Sequence, residues 1–435
     1  MKKSLLPGQD LTPSSDQANA STATNPRRHF LRRAGQLAAG VGGAGLASLA
    51  AAQASPPVVT FPPIFASTEK PEESPKPDAW SERVGFAIVG LGRLALNEIL
   101  PAMAKSRHCK PVALVSGDRD KAMKVARQYN IREEAIHDYQ SFDKLADNPE
   151  VQVIYIVLPN SMHMEFTLRG ARAGKHILCE KPMATSAADC EKMIAACKAA
   201  GRQLMIAYRS QYEGNDRAIV KMVKENRFGP LREIIAVNSQ NQGDPNQWRQ
   251  KKALAGGGPL PDVGIYCINA ARFISGEEPS EVMGTVVNNP NDPRFREVEE
   301  SVQFILKFPS GLVATATSSY NVHTSKFLRV QGPTGWAELS PAFSYSGIKL
   351  AVSRVVDKHE VKENIDIDSS DQFARMMDHM ADCVRNNRKP HTPGEEGLQD
   401  QRIVEAIYRS AREGRTVKLS QPSAPTRGPE PQEQA

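Results

Sequence analysis

From Val84 onward, short unbroken apolar runs alternate with longer stretches of helical period. Val84–Val89, Pro111–Val115, Val151–Val157, His176–Cys179 and Gln203–Ala207 each read as a strand covered on both faces. Between them, Lys121–Tyr129, His163–Ala173 and Ser186–Ala200 place apolar residues at helical spacing, and Gly174 stands where the second helix should stop. Such alternation predicts a doubly wound parallel sheet over residues 82–209. From Leu231 the pattern turns to mostly strand: Leu231–Val237, Val282–Val287, Val302–Phe308, Leu312–Ser319, Leu328–Gly332, Gly335–Leu339 and Ile348–Val352. Pro309-Ser310-Gly311 reads as a hairpin turn between two of them. The second domain, residues 210–420, is therefore expected to be α+β, an open and mostly antiparallel sheet with helices on one face. Two last helices, Asp371–Asn386 and Glu395–Arg412, present Phe373, Met376, Met377, Met380, Ile403 and Ile407 to a core.

The 435 residues suffice for two such domains, and 24% charged against 40% hydrophobic residues places the chain among soluble globular proteins. The formal charge of +6 is largely a property of the first 54 residues, which hold six Lys or Arg and two acids. Without them 49 basic side chains face 47 acidic ones, so no nucleic-acid partner is expected. The six cysteines (109, 179, 190, 197, 267 and 383) form no CxxC and no zinc spacing with histidine; neither disulfide nor metal site is expected.

Pro26-Arg27-Arg28-His29-Phe30-Leu31-Arg32 fits a twin-arginine export address. An Ala/Gly-rich run follows and ends in Ala52-Gln53-Ala54, a small-x-small cleavage pattern. Ala and Gly give little insertion energy, so no stable membrane anchor is expected. The expectation is a periplasmic protein delivered by the twin-arginine machinery, with residues 1–54 as signal peptide. Residues 55–81 form a Pro-rich arm, a tether or a strap over a neighbouring subunit, and the Pro/Gln-rich residues 421–435 a disordered tail.

The first strand runs directly into Gly90-Leu91-Gly92-Arg93-Leu94-Ala95 and then a helical pattern. This is G-x-G-x-x-A in the strand–turn–helix setting of a Rossmann dinucleotide-binding domain. Gly90 permits the tight turn, Gly92 lets the backbone approach a pyrophosphate, and Ala95 allows close helix–sheet packing. The second strand ends at Ser116-Gly117-Asp118. A carboxylate at this tip would suit an unmodified ribose. A serine there, with Lys121 or Arg119 near, suits a 2′-phosphate and favours NADP, Asp118 being the counter-evidence.

Lys181, in His176-Ile177-Leu178-Cys179-Glu180-Lys181-Pro182, lies at the carboxyl end of a parallel strand, where open sheets bind ligands. Arg209 holds the same position after the next strand. Downstream, Gly256-Gly257-Gly258 leads to Asp262 and Tyr266, four apart and hence one turn apart on one helical face. A tyrosine titrates near about 10, too high for a base at neutral pH. An adjacent Lys181 ammonium would favour its ionised form. Asp262 would bind a sugar hydroxyl or orient Tyr266.

These motifs, together with Trp248-Arg249, resemble the glucose–fructose oxidoreductase / inositol dehydrogenase (Gfo/Idh/MocA) family, from Val84 to the last helix. Leu158-Pro159-Asn160-Ser161-Met162-His163 and Gly258–Arg272 look most like its glucose–fructose oxidoreductase branch. The resemblance implies that Lys181 hydrogen-bonds the reacting sugar oxygen and that Tyr266, where many members carry histidine, is the acid/base. It implies that Ser116 and Lys121 contact the 2′-phosphate. Tyr139, Glu180, Arg209, Trp248, Arg249 and the Leu158-Pro159-Asn160 and His163 turn would line the NADP, with Gly117 and Gly90–Leu94. One departure is Arg93-Leu94, where that branch is expected to carry an aromatic residue. The implied activity oxidises an aldose such as glucose to its lactone. It reduces a second sugar such as fructose to an alditol, by ping-pong hydride transfer on tightly held NADP. Aldose–aldose oxidoreduction, a sugar dehydrogenase with exchanging cofactor, and a non-catalytic sugar-binding protein are the alternatives. A homo-oligomer, dimer or tetramer, is expected through the open sheet face.

Overall fold

The computed structural model describes residues 79–367 and 370–431. The expected signal peptide, and the Pro-rich arm up to residue 78, lie outside the described residues. Among the described residues no helix is long and apolar enough to cross a membrane.

Six parallel strands form the first sheet: β1 (Val84–Val89), β2 (Cys109–Val115), β3 (Ile136–His137), β4 (Val153–Ile156), β5 (His176–Cys179) and β6 (Leu204–Ile206). Their order is β3-β2-β1-β4-β5-β6. The direction of winding reverses between β1 and β4, which opens a crevice at their carboxyl ends. All residues of β1 and β4 are buried, as the unbroken apolar runs predict. Helices α1 (Leu100–Lys105), α2 (Arg119–Gln128), α3 (His163–Arg172) and α4 (Ala187–Ala199) connect the strands.

After α5 (Gly214–Lys224), nine strands build the second sheet. They are β7 (Glu233–Asn241), β8 (Glu281–Val287), β9 (Ser301–Lys307), β10 (Val313–Ser319), β11 (Asn321–Gly332), β12 (Gly335–Leu339), β13 (Leu350–Val356), β14 (His359–Ile365) and β15 (Val417–Lys418). The order is β14-β13-β12-β11-β7-β10-β9-β8-β15, and every pairing is antiparallel except β7 with β10. The helices that follow in the chain are the single turn α6 (Lys252–Ala255), α7 (Ile265–Ser275), α8 (Gln372–Arg385) and α9 (Gly394–Glu413). The fold is thus a Rossmann α/β domain followed by an open, mostly antiparallel α+β domain.

Three expectations need correction. The first concerns α8, which its place in the chain assigns to the second domain. Its Phe373, Met376, Met377 and Met380 instead belong to the core of the first, beside Ile99, Leu100 and Met103. An amphipathic helix shows that it has a buried face but not which sheet it will cover. Second, residues 320–326, which the apolar runs leave between the strands Leu312–Ser319 and Leu328–Gly332, are largely the start of β11, whose exposed, polar residues hide the strand from an apolar count. Third, residues 421–431 are not a disordered tail: they lie along α7 and α9. Thr426 is buried and bonds Arg272, Glu278 and Glu396, and Arg427 donates to the Arg272 carbonyl and to Glu396. Composition misled there because the segment is held by ion pairs and hydrogen bonds rather than by apolar burial.

Candidate active site

At the carboxyl end of β1, Gly90 adopts φ +96°, and a Cβ there would come 2.3 Å from the Val157 carbonyl oxygen; no other residue fits. Gly92 differs, since a Cβ on it would meet nothing within 4 Å. Its lack of a side chain keeps open the space over the helix start, where first-turn N–H groups have no intrahelical partner and attract phosphate. Ala95 is fully buried against the sheet. At the tip of β2, Ser116 is buried and its Oγ accepts from the Asp118 N–H at 3.1 Å. Asp118 caps α2, accepting from the Lys121 N–H at 2.9 Å, so its carboxylate is committed to the helix. Arg119 pairs with Glu133 at 3.0 Å, while the Lys121 ammonium is 3.9 Å from Asp118. Tyr139 lies over Gly117, whose Cβ would approach its ring to 3.2 Å. These residues fit a nicotinamide dinucleotide.

The Leu158–His163 turn links the cofactor crevice to the lysine. His163 is wholly buried, with Nδ1 2.9 Å from the Pro182 carbonyl and Nε2 2.9 Å from that of Leu158. Burial lowers its pKa, and the neutral ring, seated between the two carbonyls and donating to one of them, ties the end of β4 to the turn after β5. Asn160, after Pro159, donates to the Ala255 carbonyl at 2.8 Å and anchors α6. Glu180 accepts from the Tyr155 hydroxyl at 2.7 Å and, despite Lys181 beside it, is pushed up by burial.

Lys181 and Asp262 meet across the two domains. Lys181 Nζ donates to the Asp262 carbonyl at 2.6 Å and to Oδ1 at 3.2 Å, both side chains being nearly buried. Asp262 Oδ2 accepts from Arg249 Nε at 3.1 Å and from the Tyr320 hydroxyl at 2.6 Å. Burial alone would raise the Asp262 pKa. The Arg249 guanidinium, the Lys181 ammonium and the Tyr320 hydroxyl outweigh it and hold the carboxyl well below its usual range. Burial likewise opposes the charge on Lys181, but Tyr266, Asp262 and Glu180 keep its pKa above the ordinary lysine value. Asp262 is not a helix cap. It sits in a π turn, Leu260–Gly264, that opens α7. A second π turn, Ala95–Ile99, opens the helix after the glycine turn. Such turns often mark functional sites, because the wider spiral re-aims side chains.

Tyr266, one turn on, lies between two cations. Lys181 Nζ is 4.7 Å and the Arg209 guanidinium 4.8 Å from its ring centroid. Arg209 is buried and donates to the Phe343 carbonyl at 2.7 Å, the Ser344 carbonyl at 3.1 Å and Gln372 Oε1 at 2.5 Å. Its guanidinium also stacks on Tyr345 at 4.5 Å. Arg249 stacks on Trp248 at 4.4 Å. Lys181, Asp262 and Tyr266 are therefore brought together, and Arg249 and Arg209 join them. Sequence reasoning missed Tyr320, the Gln372 contact and Phe343, whose ring is 6.0 Å from that of Tyr266. No spacing signals them, since they come from the end of β10, the cap region of α8 and a connection. Among the described residues no cluster of His, Cys, Asp or Glu could hold a metal ion.

Comparison with known proteins gives two family models on consecutive segments. The model for the oxidoreductase family with an NAD-binding Rossmann fold matches residues 84–208, and that for the GFO/IDH/MocA C-terminal domain residues 217–338. D-xylose 1-dehydrogenase [NADP(+)] of Haloarcula marismortui is 32% identical over 350 residues, 77% of this chain and 93% of that protein. D-xylose 1-dehydrogenase (NADP(+)) 2 of Haloferax volcanii is 29% identical over 336 residues, 77% and 99% of the two chains. The solved structure of aldose-aldose oxidoreductase from Caulobacter crescentus, complexed with glycerol, is 45% identical. It superposes with a TM-score of 0.75, covering 78% of this chain and 100% of that one. With both domains matched and these relatives covered almost end to end, the chain belongs to the Gfo/Idh/MocA oxidoreductase family.

Proposed function

We propose that this protein oxidises a cyclic aldose at C1 to a lactone and passes the reducing equivalents to a second sugar, holding NADP throughout. The observation that carries the reading is the Lys181–Asp262–Tyr266 group at the carboxyl end of the Rossmann sheet. NADP, when bound, supplies the hydride acceptor and, once reduced, the hydride donor. Ser116 and Lys121 would hold its 2′-phosphate, a role supported by the commitment of Asp118 to its helix cap. The names of the two xylose dehydrogenases support the same cofactor.

Tyr266 takes the proton of the C1 hydroxyl as the C1–H bond breaks and the C1=O bond forms. Lys181 donates a hydrogen bond to that oxygen, where negative charge develops. Asp262 stays ionised and fixes the lysine. In the return direction Tyr266 gives the proton back to the carbonyl oxygen of an open-chain sugar, and the alditol leaves. The name of the 45% identical relative supports an aldose as acceptor over fructose. Arg27-Arg28 supports export to the periplasm, where no free nucleotide pool would reoxidise the protein. The open face of the second sheet would join copies into a dimer or tetramer.

The xylose dehydrogenase names favour a second reading, a dehydrogenase that exchanges its cofactor. Steady-state kinetics with two sugars separate the two. Parallel double-reciprocal lines without added nucleotide support retention; an absolute requirement for added NADP supports exchange.

A further inference from the structure

Tyr320 follows β10 and is wholly buried, packed with Val263 and Phe295. Its backbone is held on both sides: its N–H donates to the Glu300 carbonyl at 2.9 Å, and its carbonyl accepts from the Gln242 N–H at 2.8 Å. Arg294 locks the strand ends around it, donating to Asn241 Oδ1 at 2.9 Å and Asn321 Oδ1 at 2.7 Å. A ring held this way aims its hydroxyl at a fixed point, and that point is Oδ2 of Asp262, 2.6 Å away.

The contact satisfies two buried groups at once, a tyrosine hydroxyl and a carboxylate. It also has a geometric consequence. Lysine ends in a flexible four-carbon stem, so its ammonium has no preferred position of its own. Here Asp262 sets that position through Oδ1 and its carbonyl. A carboxylate gripped on one oxygen alone can turn about its Cβ–Cγ bond. Arg249 grips Oδ2 as well, but from a single 3-10 turn and with a third of its side chain exposed. The buried, strand-anchored grip is that of Tyr320. We propose that Tyr320 is a positioning residue for the reaction, fixing Asp262 and through it the Lys181 ammonium beside Tyr266. The inference rests on the reading of Lys181 and Tyr266 as the reacting pair.

The groups facing the Asp262 carboxylate are Lys181 after β5, Arg249 before α6 and Tyr320 after β10, with Glu299 beyond Tyr320 and the Tyr266 ring of α7 against the Lys181 ammonium. Without the Tyr320 hydroxyl, Asp262 loses one of the donors that keep it ionised, so it would protonate at higher pH.

The test is Tyr320→Phe in the full chain with its nucleotide. Turnover should fall about tenfold, the scale of one charge-assisted hydrogen bond. Affinity for the unreactive cyclic polyol 1,5-anhydroglucitol, measured by calorimetry, should change less than about twofold. Unchanged turnover would overturn the inference. So would equal losses of turnover, affinity and melting temperature, which would make the role merely structural. Should Tyr320→Phe fail to fold, 3-fluorotyrosine at this position keeps the shape and strengthens the donor; turnover should then hold at or above the wild-type level, and a fall overturns the inference. A wild-type protein that turns over no aldose removes the underlying reading instead.

Discussion

Lys181 and Asp262 are bonded twice, through Nζ to the backbone carbonyl at 2.6 Å and to Oδ1 at 3.2 Å. A residue of the Rossmann domain thereby takes its position from a helix of the sheet domain. Lys181→Ala should lower turnover about 100- to 1,000-fold, the effect of losing one preorganised donor to a developing oxyanion. Lys181→Arg should not restore it, because a planar guanidinium cannot replace a compact ammonium held by two acceptors. Single-turnover rates of sugar-dependent nucleotide reduction check both.

The same pair makes a pH prediction. The Asp262 pKa is depressed, so its contribution to stability is present above the ordinary carboxylate value and is lost as pH falls through the folded value. That of Lys181 is raised, so its contribution is complete below the ordinary lysine value and is lost as pH rises through the folded one. The stability difference between wild type and Asp262→Asn should therefore be flat from about pH 6 to 9 and shrink on acidification below the ordinary carboxylate range. Urea denaturation across that span is the measurement.

Tyr266→Phe removes the proton acceptor and leaves the ring between its two cations. Turnover should drop about 100- to 10,000-fold. Nucleotide content, read by absorbance after denaturation, should stay at the wild-type level.

The two glycines of the β1 turn should fail differently. Gly90→Ala meets the Val157 carbonyl at a positive φ and should cost more than about 1 kcal/mol in stability. Gly92→Ala meets no protein atom within 4 Å, so it should melt like wild type but purify with less nucleotide. Thermal melting and nucleotide content together separate the cases.

Further along α7, Arg272 is wholly buried with Glu396 and Asp400 and also pairs with Glu278. Burial would raise both buried carboxyls; Arg272 and Arg427 bring Glu396 down to about 2, while Asp400 is left at about 6. Arg272→Leu strands these acids and should destabilise the protein by about 3–5 kcal/mol, seen as a lower urea midpoint.

The Rossmann half was readable because its strands are continuous apolar runs and its first turn opens on Gly90, a glycine that sterics demand. Lys181, Asp262 and Tyr266 were readable because a strand end and a four-residue helical spacing place them. Tyr320 was not, because its partner is 58 positions away and its own surroundings read only as the end of a strand. The allegiance of α8 was hidden for a similar reason: periodicity reports a buried face and is silent on what buries it. The tail's hydrogen bonds to α7 and its ion pair with α9 depend on tertiary proximity that no local pattern encodes.

The central claim is that one site serves both half-reactions on a nucleotide that stays bound. Its most direct measurement follows the near-ultraviolet band of reduced nicotinamide in gel-filtered protein with no nucleotide added. The account predicts that the band appears when an aldose such as glucose is supplied. It should then disappear when a second sugar is added after removal of the first. A band that forms only with added NADP, or one that forms and is not discharged by any aldose or ketose, would contradict it.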